Sequence, residues 1–174
     1  MADPDLNAPA RRALLLRFRA VLLVFITGLV LSGLTAFPLL YEVRWLAEML
    51  GIPDGADYRT FDGLRHWVGY VRQGLEDSYR AYPFIAYGTD WLAFAHIVVA
   101  VFFLGPLLKP GEGDWIFISG MIACGLVIPL ALICGSIRGI PFYWRLIDCS
   151  FGILGFFPLA YCYRLNRKIW LMDR

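Results

Sequence analysis

The sequence predicts an all-α integral membrane protein, a four-helix bundle with an extracytoplasmic amphipathic helical segment between its first and second spans. Three observations carry that expectation. The chain is 59% hydrophobic and only 17% charged over 174 residues, whereas a soluble domain carries roughly 25% charged residues. The charges gather at the N-terminus, between residues 42 and 80, and at the C-terminus. Between them lie four stretches that reach the about 20 apolar residues needed to cross a hydrocarbon core about 30 Å thick. The length suits one membrane domain, residues 1–174.

The first span is expected over about 20–41 and carries no charge. Arg11, Arg12, Arg17 and Arg19 precede it as the basic region of a signal peptide would. Its apolar run is too long for one, and no clear A-x-A site follows. The second span covers about 90–108 and is interrupted only by His96; the third covers about 115–137 without a charge. The fourth covers about 142–163, with Arg145 and Asp148 near its start. Lone strands leave their backbone groups unsatisfied in lipid, and these runs do not alternate as barrel strands do, so the spans are helices.

Residues 42–87 are too mixed to span and too apolar for a plain linker. Val43, Leu46, Ala47 and Leu50 recur at helical spacing before Gly51 and Pro53. After a loop over 52–60, Phe61, Leu64, Trp67, Val68, Val71 and Leu75 mark one face of a second helix. Asp62, Arg65, Arg72, Glu76 and Asp77 fall elsewhere on it, as in a helix lying at an interface or over the bundle. It is either a lid on the protein's own helices or a docking surface for a partner.

Pro83 ends this helix, and Thr89 or Asp90 is placed to cap the second span. Lys109–Gly113 and Gly139–Pro141 are short turns, which make their flanking spans antiparallel neighbours. In lipid, close packing depends on small residues. The first span offers Gly28, Ser32 and Ala36, the third Ser119 and Ala123 beside Gly120 and Cys124, and the fourth Cys149, Gly152 and Gly155. Pro38, Pro129 and Pro158 are the expected kink sites.

Orientation follows the positive-inside rule. The N-terminus, the second-to-third connection and the tail share one side and hold nine basic residues, against seven on the other side. The 42–87 segment adds seven acids to that second side. Both termini are therefore expected in the cytoplasm. Nothing points to nucleic acid, because no basic stripe accompanies a stacking platform. Cys124, Cys134, Cys149 and Cys162 form no C-x-x-C pair and read as small apolar packing residues, with no metal site.

Ionisable groups inside a membrane are costly, so each is a site candidate. With this topology Glu42, Arg44, Asp90, Arg138, Arg145 and Asp148 gather towards the outer side. His96 lies roughly 9 Å deeper than Asp90 at 1.5 Å per residue. Arg145 and Asp148 stand one turn apart, where side chains meet. Such charges either pair off to tie helix ends together or form an outward basin for a small molecule, ion or lipid headgroup. Proton transfer through His96, and haem ligation by it, are further readings, although His96 has no histidine partner in the membrane. No catalytic or phosphate-binding motif is present, and no inverted repeat.

YPFIAYGTDWLAFAHI (82–97) and IPLALICGSIRGIPFYWRLIDCSFG (128–152) resemble an uncharacterised family of small four-span bacterial membrane proteins. The resemblance runs from the first span to the fourth. It implies a bacterial inner membrane and carries over no activity, cofactor or site residue. The function expected from the residues is a non-enzymatic accessory or interaction subunit of a larger membrane complex. A membrane-protein partner or homo-oligomer would accompany it in the bilayer. A binding or transport protein using the outward basin is the alternative, and a haem or redox protein a third.

Overall fold

The computed structural model describes residues 4–174, with side chains from residue 9 onward. All regular structure among these residues is helical. Four helical segments are long and apolar enough to cross a membrane: Pro9–Ala36, Pro83–Leu108, Asp114–Ile137 and Phe142–Met172. This is the pattern of a multi-pass membrane protein.

The helices are α1 (Pro4–Ala36), α2 (Leu39–Met49), α3 (Gly63–Ala81), α4 (Ala86–Phe102), α5 (Leu104–Leu108), α6 (Asp114–Pro129), α7 (Gly135–Ile137) and α8 (Phe142–Met172). Proline explains most of the breaks, because it donates no N–H and its ring crowds the preceding turn. α1 stops at Ala36, short of the expected Tyr41, because Phe37 and Pro38 form a turn. Pro106 leaves the Phe102 carbonyl without its helical donor, and α4 gives way to α5 there. Pro129 is followed by a single wide π turn, Leu130–Cys134, before α7 resumes the helix. Pro158, by contrast, is carried inside α8 without ending it. The expected turns stand, with Gly51, Gly111, Gly113 and Gly139 all at positive φ.

The chain forms two compact units. The first comprises Met1–Gly28 and Val99–Arg174. Its core joins Phe18, Leu22 and Ile26 of α1 to Phe103, to Phe117 of α6, and to Leu159, Cys162, Leu165 and Ile169 of α8. Phe18 meets Phe117 edge-on at 5.9 Å, and Phe25 meets Phe103 at 5.0 Å. The antiparallel pair α6 and α8 is the tightest contact. A Cβ on Gly152 would stand 2.5 Å from the Cys124 carbonyl oxygen, so the two backbones touch where only glycine fits. Gly120, against Leu159 and Phe103, and Gly155, against Cys124, extend the seam. Of the small residues expected to pack, Gly120, Cys124, Gly152 and Gly155 do so, whereas Ala123 is exposed and the Ser119 hydroxyl donates back to its own helix.

The second unit comprises Leu29–Val98. Here Gly33, not Gly28, is the contact residue of α1. Its position meets the Ala93 carbonyl and the His96 Cβ of α4, whereas Gly28 has open space around it. α2 and α3 pack together over Ala47, Ile52 and Val68. Burying Ile52 and Val68 stabilises the pair by roughly 1.5–3 kcal/mol each. One expectation fails on α3. Arg72, assigned to the polar face, is only 4% exposed and donates to the carbonyls of Ile52 and Pro53 and to Asp54 Oδ1. The 52–54 loop folds over the helix and turns the Ile52 and Pro53 carbonyls towards the guanidinium, which donates to both; Pro53 also accepts from the Ala56 N–H. Gly69 admits Tyr58 at a distance no side chain would allow.

Candidate functional site

In the first unit, the α7–α8 end holds three of the charged candidates. α6, the π turn and α7 form one wall, and the first two turns of α8 form the other. A π turn widens the helix and takes carbonyls out of the α-helical ladder. Arg145 answers this: its Nη1 donates to the Leu132 carbonyl at 3.2 Å. Its stem reaches there by crossing Gly135, where a Cβ would lie 2.7 Å from Arg145 Cδ. Arg145 Nε is buried and has no hydrogen-bond partner among the described residues. The guanidinium stands 5.3 Å from the Phe142 ring centre.

Asp148 therefore does not receive Arg145. The three-residue spacing allows an ion pair, but the guanidinium donates to the Leu132 carbonyl in the π turn instead. Asp148 forms no ion pair or hydrogen bond among the described residues. It lines a cavity of about 250 Å³ with Arg138, Cys134, Gly135, Val127 and Ala131. The wall is mainly apolar, with one carboxylate and one guanidinium on it. Such a cavity suits a ligand with an apolar body and a small polar or charged group. Arg138 was anticipated from the sequence; Cys134 and the π turn were not, and only Pro129 hinted at the latter.

In the second unit the candidates separate. Arg44 Nε donates to Glu76 Oε1 at 2.8 Å and ties α2 to α3. That bond raises the Arg44 guanidinium above its ordinary value. Glu42 is exposed on α2. Thr89 and Asp90 lie inside α4, not at its cap, because the helix already starts at Ala86. The Thr89 hydroxyl donates back to the Ala86 carbonyl at 2.6 Å. Asp90 faces an aromatic groove with Phe37, Tyr87, Trp91 and Phe94. His96 Nδ1 donates to the Leu92 carbonyl at 2.8 Å, which puts a proton on Nδ1 and leaves Nε2 as the ring's second polar atom. Asp90 and His96 thus occupy different surroundings, as their six-residue spacing requires.

The opposite end of the first unit carries a polar cluster that the sequence did not mark. Asn166, fully buried, accepts from the Gly111 N–H at 2.7 Å and donates to the Glu112 carbonyl and to Asp114 Oδ1. Arg11 holds Asp173 through two hydrogen bonds, of 2.6 and 2.9 Å. This contact keeps the Asp173 carboxyl below the ordinary carboxylate range. No group of three or more His, Cys, Asp or Glu among the described residues is arranged to hold a metal ion. Comparisons with protein-family models, curated proteins and solved structures return no match.

Proposed function

We propose that this chain is a multi-pass protein of a bacterial inner membrane, a four-helix bundle with both termini in the cytoplasm. It acts as a non-enzymatic accessory or interaction subunit of a larger membrane complex. The charge distribution supports the orientation, since nine basic residues fall on the terminal side. The observation that carries the function is a ladder on α2 and the turn before it. Phe37, Tyr41, Trp45 and Met49 recur every four residues and all are exposed, Tyr41 by 73% and Trp45 by 64%. The other side of α2 is already used, with Ala47 buried against α3. A short helix that is apolar on both sides needs a second surface, and Tyr, Trp and Met are enriched at protein interfaces. The partner is another membrane protein or a second copy of this chain.

The test is affinity purification from native membranes in mild detergent, with wild type beside Tyr41→Ala and Trp45→Ala. Exposed positions such as these leave the fold intact. A stoichiometric companion lost in both variants supports the proposal. A protein that is monomeric and partnerless in native membranes, or a companion retained by both variants, refutes it.

A second reading rests on a separate observation, the unpaired Asp148 in the wall of the π-turn cavity. An ionisable group kept without a partner inside a span is costly and marks a site. On this reading the cavity takes a small molecule, ion or lipid headgroup from the outer side. Asp148→Asn then abolishes binding in a ligand screen, and binding unchanged by it rules the reading out.

A further inference from the structure

We infer that the groove beside Asp90 binds the ammonium headgroup of a membrane lipid. Tyr87, Asp90, Trp91 and Phe94 follow the i, i+3, i+4, i+7 spacing that places them on one stripe of α4. Phe37, at the turn that ends α1, closes the groove from the side, and the cavity measures about 240 Å³. The rings stand edge to face: Tyr87 and Trp91 are 6.0 Å apart at 78°, and Trp91 and Phe94 are 5.9 Å apart at 86°. All four aromatic side chains keep a large exposed surface.

Aromatic residues at a span end are the ordinary interfacial belt. The carboxylate among them is not explained by that role. Asp90 is half-buried and makes no ion pair or hydrogen bond among the described residues. An aromatic face attracts a cation through its quadrupole, and the carboxylate adds full opposite charge. Together they select an organic cation and repel an anionic headgroup. Two features favour a lipid over a soluble cation. Asp90 lies within the first turns of a helix apolar enough to span the membrane. The groove wall is otherwise apolar, so the carbon atoms next to the nitrogen stay in contact with it. Phosphatidylethanolamine has this chemistry, with a primary ammonium on a short carbon link beside its phosphate.

The whole protein is reconstituted in nanodiscs of equal phosphatidylethanolamine and phosphatidylglycerol, released in mild detergent and weighed by native mass spectrometry. Wild type retains the ethanolamine lipid in preference to the glycerol lipid. Asp90→Asn and Trp91→Leu each lower that retention about tenfold and leave glycerol-lipid adducts unchanged. Asp90→Glu, which keeps the charge, retains the preference, and circular dichroism verifies that each variant is folded. A phosphatidylethanolamine acylated on nitrogen, which keeps its phosphate but loses the ammonium charge, is not retained. Equal retention of the two lipids by wild type, or an unchanged preference in folded Asp90→Asn, overturns the inference. So does binding of free tetramethylammonium with no lipid preference, which assigns the groove to a soluble cation.

Discussion

The two ends of the α6–α8 pair treat their polar groups in opposite ways. At the Asp114 end, Asn166 bonds to Gly111, Glu112 and Asp114, and Arg11 bonds to Asp173 through two contacts. At the π-turn end, among the described residues, Asp148 is unpaired, Arg145 Nε has no acceptor, and the guanidinium makes one hydrogen bond, to Leu132, beside its contact with the Phe142 ring. Both ends come from the same two helices and face the same packing problem. A polar group away from water costs free energy unless it is bonded. The satisfied end therefore reads as closure of the fold, and the unsatisfied end as a place where something else supplies the partner.

The largest effect is expected at the closed end. Asn166→Ala leaves the Gly111 N–H and the Glu112 carbonyl without their partner, takes from Asp114 the partner it has besides Arg167, and should destabilise the protein by about 2–4 kcal/mol, read from denaturant titration in detergent micelles. A loss below half that range would dissolve the contrast. Arg145→Gln should cost less, about 1–2 kcal/mol, because it removes a single bond to a carbonyl. The same titration decides it. A cost of about 3–5 kcal/mol, the value for breaking a buried ion pair, would show that Arg145 and Asp148 pair after all.

Asp148→Asn should leave stability unchanged or raise it by up to about 1 kcal/mol, since it removes a charge that nothing in the fold answers. Clear destabilisation would make Asp148 a structural residue. The smallest effect concerns Asp173. Its folded carboxyl titrates below the ordinary 3.8 because Arg11 donates to it. The pair's contribution is complete above that ordinary value and disappears as pH falls through the lower folded value. Both side chains are about 40% exposed, at 42% and 39%, so solvent screening holds the contribution to a few tenths of a kcal/mol at most. Melting curves of wild type and Asp173→Asn should therefore converge only at the acid end. A gap that widens on acidification would contradict the pairing.

Run length and turn residues made the four apolar helices legible, together with the breaks at Gly51, Lys109–Gly113 and Gly139–Pro141. Those features are local: a charge-free run and a glycine at positive φ are visible within a few residues. The sites were less legible, because each depends on a backbone carbonyl brought from elsewhere. Arg72 looks like a solvated residue until the 52–54 loop folds over it. Arg145 looks like the partner of Asp148 until the π turn offers Leu132. Asn166 carries no charge, and nothing near it in sequence announces the Gly111 turn it holds. Gly28 and Gly33 are equally small, and only the approach of α4 distinguishes them. Asp90 was singled out as a charge within a span, although its aromatic neighbours on α4 were not read as a group with it.

The Asn166 contact also bears on the order in which the chain is assembled. Gly111 and the side chain that holds it are 55 residues apart, so the ribosome completes the turn long before its fastener exists. Until the last helix has been inserted nearly to its end, Gly111 and Glu112 have only water or insertion machinery to bond with. A nascent chain released before residue 166 would carry three finished spans and an unfastened loop.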